Sequence, residues 1–356
     1  MLGKFSKQTI KLIIQALKIK RVYYFSKKIY NLTPLPLRIK SKIAESIFNI
    51  DQSLRKVSLV NSNHGLKKRE NNKSKNKEDL IAMENMSFID KSDIPAYYKR
   101  ALYDLLSRVK SLKGLNVLEI GGSSLPKEII KRLEVNKWVS VDIQDHDSGN
   151  YQSRDNSLIF NGSIHDALPD NIPNKQYVII DGDATALPSA FDGLFDVVFS
   201  VNTFEHVSDL ISLSFRIKNL LIESGLLYTE FGPIWSGPYG SHFWGSEDWD
   251  FAKPGPVDQF DHLLMRPSEL FNKVTNSGIN SKIAAYGIYE MYTSSKINRL
   301  FASDYKKIFS AAGYSKLVCK PGHQFKIDKS LQNLLEEQYP FNNDFNSYTL
   351  IIEAEK

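Results

Sequence analysis

The chain of 356 residues is 42% hydrophobic and 24% charged, with 19 Gly, 14 Pro and one Cys. That composition excludes collagen-like, disulfide-rich and wholly disordered proteins. The single thiol, Cys319, cannot close an internal disulfide, and no Cys/His set has zinc-ligand spacing, so the expectation is a reducing, cytoplasmic location and no metal. A formal charge of +6 hides an asymmetry: residues 1–78 hold 19 Lys and Arg against 4 acidic residues, leaving 27 against 36 in the rest.

Near the start, Ile10, Ile13, Ile14 and Leu17 fall at the spacing of one helix face, with Lys7, Lys11 and Lys18 off that stripe. The apolar runs are far shorter than the ~18 residues a membrane span needs, and Lys18, Lys20 and Arg21 interrupt any signal-peptide pattern. Residues 1–57 are therefore expected to form a basic amphipathic helical extension. Such a helix suits peripheral contact with an anionic inner membrane face, with Tyr23, Tyr24 and Phe25 beside Lys27 and Lys28 at the interface. Docking on a protein surface and non-specific phosphate binding stand as alternatives. The charged run over 67–77 cannot bury a core and places a linker at 58–78.

From residue 79 onward, short apolar runs alternate with amphipathic helical patterns. Strands are expected at 116–120, 138–143, 177–181, 195–200 and 226–230, with helices at 126–134 and 208–222. Two more strands are expected at 315–320 and 347–354, after a helix ending at Gly313 for which Ser303 is the candidate N-cap. This alternation predicts an α/β fold, a doubly wound, mostly parallel sheet covered on both faces. Ligands of such sheets bind at the carboxyl ends of the strands. There the first strand runs into the tight turn Gly121-Gly122, where small residues let backbone approach a ligand and Pro126 opens a helix. Asp142 ends the second strand 23 residues after Glu119, the position from which a carboxylate reaches ribose hydroxyls.

Glu119-Ile-Gly-Gly-Ser-Ser, Val141-Asp142, Asp183-Ala-Thr-Ala-Leu-Pro188, Phe195-Asp-Val-Val-Phe-Ser-Val-Asn-Thr-Phe-Glu-His206 and Ser224-Gly-Leu-Leu-Tyr-Thr-Glu230 follow one another in order. Together they resemble the motifs of class I S-adenosylmethionine-dependent methyltransferases over roughly residues 94–354, in particular the subgroup that methylates small molecules and sugars. The resemblance implies a seven-stranded Rossmann-like sheet whose last strand inserts antiparallel, and S-adenosyl-L-methionine as cofactor. It further implies Glu119, Gly121 and Gly122 at the methionine end, Asp142 at the ribose, Asp183 with Ala184 at the adenine, and Asn202 at the pocket edge. Two departures stand out. Ser123 and Leu125 replace the usual glycines, and Asp183 comes 41 residues after Asp142, about twice the family's usual gap. On this template Cys319 is a strand residue of the core.

Methyl transfer needs an acceptor aligned in line and, for a hydroxyl, a base. The segment after the fifth strand, 231–249, holds three of the four Trp and four Gly, and opens acceptor-side insertions over about 231–299. Trp235, Tyr239 and Trp244 are candidate substrate contacts, since aromatic faces with polar neighbours hold sugars and flat rings. The plainer alternative is that these rings anchor the loop. His242 is the first candidate general base, His206 the second, and His262 a third side chain placed to line the cavity. A small hydroxylated acceptor, a sugar or glycan precursor, is the favoured substrate. Nucleic acid is disfavoured as a partner, because Asn202-Thr-Phe-Glu lacks the Asp/Asn-Pro-Pro-Tyr pattern and the one Cys is remote. An RNA methyltransferase and a non-catalytic cofactor-binding scaffold are the competing readings.

Overall fold

The computed structural model describes residues 87–122, 125–143, 159–160, 162–172, 175–243 and 255–356. The expected basic helix and linker of residues 1–78 lie outside the described residues. Strands β1 (Asn116–Ile120), β2 (Lys137–Asp142), β3 (Ile159–Phe160), β4 (Tyr177–Asp181), β5 (Phe195–Val201), β6 (Leu221–Phe231), β7 (Lys316–Pro321) and β8 (Leu350–Glu355) form one sheet in the order β3-β4-β2-β1-β5-β6-β8-β7. β1 to β6 run parallel, whereas β8 is antiparallel to both β6 and β7, between which it lies. Leaving aside the two-residue β3, this is the expected seven-stranded α/β sheet with its antiparallel insertion.

The alternation of side chains along each strand sorts the core into two layers. Leu118, Ile120 and Val198 face one layer, with Leu213 and Ile217 of α4 (Leu210–Leu220) and Phe309 of α8 (Ala302–Ala312). Val117, Val197 and Phe199 face the other. That second layer is closed by α2 (Ala96–Val109) and α3 (Lys127–Arg132); α1 (Ser87–Asp90) precedes them. In α2 the buried residues Tyr98, Ala101, Leu102, Leu105 and Leu106 make a stripe of helical period, so its sequence alone dictates which face is turned to the sheet.

A third buried cluster belongs to the insertion after β6. It joins Trp235, Phe243 and Phe260 to Leu263 of α5 (Asp261–Leu264), Leu270 of α6 (Pro267–Asn276) and Met291 of α7 (Ser281–Tyr292), while Leu335 of α9 (Lys329–Gln338) closes it. The insertion is thus a subdomain with a core of its own, seated at the carboxyl end of β6.

Two details differ from expectation. The backbone N–H of Phe301 donates to Asp304 at 3.1 Å, which makes Phe301 the cap of α8, while the Ser303 hydroxyl bonds Asn342 instead. β6 begins five residues before the expected Leu226, because Leu221 pairs with Phe195 ahead of an irregularity in the register. Gly313 ends α8 in the left-handed conformation as expected, and Cys319 lies in β7, its thiol pushed up to about 11 by burial. Among the described residues no helix is long and apolar enough to cross a membrane.

Candidate active site

The residues singled out for the cofactor gather along one edge of the sheet. β1 ends at Ile120, and Gly121 turns with φ +67°, its N–H donating to Val141 at 2.9 Å. A Cβ on Gly121 would collide with the Thr203 methyl carbon, and one on Gly122 with the Glu119 carboxylate. Both glycines are therefore required by packing, and both remain half-exposed. The Thr203 hydroxyl donates to the Gly121 carbonyl at 3.2 Å and so ties the end of β5 to this turn.

Glu119 is buried beneath the turn. It accepts a bond from the Tyr98 hydroxyl and another from Trp138 Nε1 at 2.8 Å. Its carboxylate thus braces the glycine turn from the α2 side. Asp142 closes β2, and its carbonyl receives the Gly182 N–H at 2.9 Å. Asp183, two residues beyond β4, accepts the Thr185 N–H at 2.8 Å and caps the short turn Ala184–Ala186, with Ala184 buried. Asn202 follows β5 with φ +49°, held by its N–H on Glu230 at 2.9 Å. Gly121, Asp142, Asp183 and Asn202 thus stand at the carboxyl ends of four neighbouring strands, and this donor set with its glycine turn fits an adenosyl cofactor.

On the acceptor side the turn after β5 carries Glu205 and His206. His206 is half-buried, and its Nδ1 donates to the Lys296 carbonyl at 2.6 Å. A carbonyl can only accept, so the proton sits on Nδ1 and Nε2 is left as the basic nitrogen, 3.8 Å from Glu205 Oε1. Burial lowers the His206 pKa, which keeps the imidazole neutral near pH 7. Glu205 is fully buried, takes the Gly232 N–H at 3.0 Å on Oε1, and is pushed up to about 8 by desolvation. His242 stands edge-on to His206, with ring centroids 5.0 Å apart. Its Nε2 donates to the Pro233 carbonyl at 2.6 Å, and burial drives its pKa down to about 3.

The remaining substrate candidates separate. Tyr239 is half-buried with φ +59°, its ring against Phe325 at 6.0 Å. Trp235 is only 4% exposed and packs edge-on against His262 and Tyr292, so the expected open platform is instead part of the insertion's core. His262 is buried in the same cluster, with Nε2 donating to the Trp235 carbonyl at 2.8 Å and a pKa pushed down to about 4. It holds the loop rather than lining an open cavity. Trp244 lies outside the described residues. Among the described residues no group of His, Cys, Asp and Glu could hold a metal. Glu205 carries no mark of its burial in the sequence, because it stands in a turn.

Residues 161–229 match the model of a methyltransferase domain. The matched stretch spans β4, the Asp183 turn, β5, the Glu205-His206 pair and most of β6. Among solved structures, a SAM-dependent methyltransferase from Archaeoglobus fulgidus aligns at 13% identity and TM-score 0.35, covering 79% of this chain and 95% of that one. An S-adenosylmethionine-dependent methyltransferase from Mesorhizobium loti aligns at 14% and 0.37, covering 72% and 98%. Phosphoethanolamine N-methyltransferase 2 of Haemonchus contortus, in complex with S-adenosyl-L-methionine, aligns at 13% and 0.38, covering 78% and 57%. None of the curated proteins matches the chain. The match covers 69 of the 356 residues and supports a methyltransferase enzyme.

Proposed function

We propose that the chain transfers the methyl group of S-adenosylmethionine to a hydroxyl of a small acceptor, a sugar or glycan precursor, with His206 as the general base. The cofactor supplies an electrophilic methyl on a sulfonium, and the chain's residues align the acceptor and take its proton. The observation that carries the reading is the tautomer of His206. The Lys296 carbonyl commits Nδ1 as donor, so Nε2 is a neutral base. The backbone N–H of His206 donates to the carbonyl of Thr203 at 2.8 Å, and Thr203 in turn bonds Gly121 at the cofactor edge. His242, whose imidazole is held on Pro233 and resists protonation, supports that geometry by closing the ring of His206 from one side.

The test is transfer of a labelled methyl group from S-adenosylmethionine to a set of nucleotide sugars and simple glycosides, with total RNA run in parallel. Label in a saccharide, lost in His206→Ala, is the expected outcome. Label in RNA and in no saccharide would replace the acceptor class with the competing one.

A further inference from the structure

Glu205 Oε2 is buried and has no hydrogen-bond partner among the described residues, although Oε1 is satisfied by Gly232. A carboxyl oxygen left unpaired away from water is costly, so its position asks for a ligand. The backbone around it joins three distant parts of the chain. Gly232 lies against Tyr348, whose carbonyl oxygen would collide with a Cβ at that glycine, and the Ile234 N–H donates to the same carbonyl at 3.1 Å. Tyr97, in the first turn of α2 and 42% exposed, and Tyr348 both feel the charge of Glu205, which raises their phenol pKa after burial has done so.

From Tyr348 the rings continue outward. Phe325 lies 5.4 Å from Tyr348, His323 lies 5.1 Å from Phe325 at right angles, and Tyr239 meets Phe325 edge-on at 6.0 Å. Tyr239, Phe325 and Tyr348 are half-buried and His323 is exposed, so this chain of rings reaches the surface. The nearby cation, Arg100, is already paired with Glu230 at 2.6 Å. The described residues thus place a line of aromatic rings beside the buried Glu205 carboxyl.

Resting on the methyltransferase reading, we propose that Tyr97, Tyr239, Phe325 and Tyr348 form the acceptor subsite. In it, one face of a pyranose ring lies on the aromatic rings and a ring hydroxyl bonds Glu205 Oε2. Apolar C–H faces of a sugar suit aromatic rings, and a carboxyl that stays protonated near neutral pH, as the upward shift of Glu205 to about 8 implies, both donates to and accepts from a hydroxyl. Among the described residues the groups facing Glu205 are His206 on its own turn, Gly232 after β6, Tyr97 on α2, Tyr305 on α8 and Tyr348 before β8, none of them a cation near pH 7. An ammonium acceptor would require the ionised carboxylate and is the rival occupant.

The test is saturation-transfer NMR on the full chain in the presence of S-adenosylhomocysteine, with methyl glycosides of glucose, mannose and rhamnose and with tetramethylammonium as separate probes. The expected result is saturation of ring protons in at least one glycoside, weakened about fivefold or more in Glu205→Leu and in Phe325→Ala, the loss of one hydrogen bond or one ring contact. Retained S-adenosylhomocysteine affinity shows that each variant is folded. Absence of saturation in all three glycosides while S-adenosylhomocysteine binds would overturn the subsite and leave the methyltransferase reading intact. So would unchanged saturation in both variants, or preferential saturation of tetramethylammonium. Failure of the parent chain to bind S-adenosylhomocysteine would remove the methyltransferase reading and the subsite with it.

Discussion

His206 and His242 meet edge-on, their ring planes at 86° and their centroids 5.0 Å apart, and each is locked by one ring nitrogen to a backbone carbonyl. The two differ in what remains. His206 is half-buried beside the acceptor side, whereas His242 is 7% exposed. Removal of His206 should therefore lower methyl transfer by about 10²–10⁴-fold, the usual contribution of a general base, with cofactor affinity unchanged. Because its pKa is lowered from 6.5, the base stays neutral below pH 6.5, and the acid fall of log kcat should lie at more acid pH than a free imidazole would give. A pH–rate profile of wild type against His206→Ala checks this, and a fall centred at or above 6.5 would point to another group.

Glu205 predicts how stability changes with pH. Its folded pKa is about 8 against an ordinary 4.5, so between those values the unfolded chain is ionised while the folded chain keeps the proton. The native state then binds more protons, and stability falls as pH rises through that window by up to about 1.4 kcal/mol per pH unit. Glu205→Gln carries no titrating proton, and its stability relative to wild type should grow by roughly 2–3 kcal/mol between pH 5.5 and 7.5. Urea unfolding at the two pH values measures it. Parallel behaviour of the two proteins would mean that Glu205 is solvated.

Trp235 separates a structural role from a binding one. Its ring is packed against His262 and Tyr292 within the insertion's core. Trp235→Ala should cost about 3–5 kcal/mol of stability, as large-to-small changes at buried aromatics do. Thermal unfolding decides. A stable variant with weakened acceptor binding alone would restore the ring to the substrate side.

At the glycine turn the contrast is between two positive-φ positions. Gly114, at φ +75°, has open space where a Cβ would stand, whereas a Cβ on Gly121, at φ +67°, would run into the Thr203 side chain. Gly114→Ala should cost about 1 kcal/mol from backbone strain, and Gly121→Ala about 2–4 kcal/mol because overpacking is added. Only the second should also weaken cofactor binding, which calorimetry would register.

Much of this was legible in the sequence, for a physical reason. β1 and β4 were expected at 116–120 and 177–181 and lie there, because a buried parallel strand is a continuous apolar run with polar ends. The antiparallel last strand followed from the resemblance that the strand-end motifs carry. β6 was expected to start too late because Ser224-Gly225 reads as a turn, with Ser224 at φ +63°, yet pairing to β5 carries across it. The two-residue β3 has too little sequence to leave a pattern. On the acceptor side the aromatic, glycine-rich segment was conspicuous, but composition cannot tell a ring that binds a ligand from one that anchors a loop. Tyr348 and Phe325 come from near the C-terminus and reach the end of β6 only through the antiparallel pairing of β8. No local pattern announces that contact.

On the function proposed above, Gly121, Asp142, Asp183 and Asn202 hold S-adenosylmethionine at the strand ends. Calorimetric titration of S-adenosylhomocysteine into the full chain, wild type and Asp142→Ala, tests it most directly. Saturable binding in the wild type, weakened by about tenfold or more in the variant for the loss of a charged ribose contact, is the predicted result. A folded wild-type chain that binds no S-adenosylhomocysteine would contradict it.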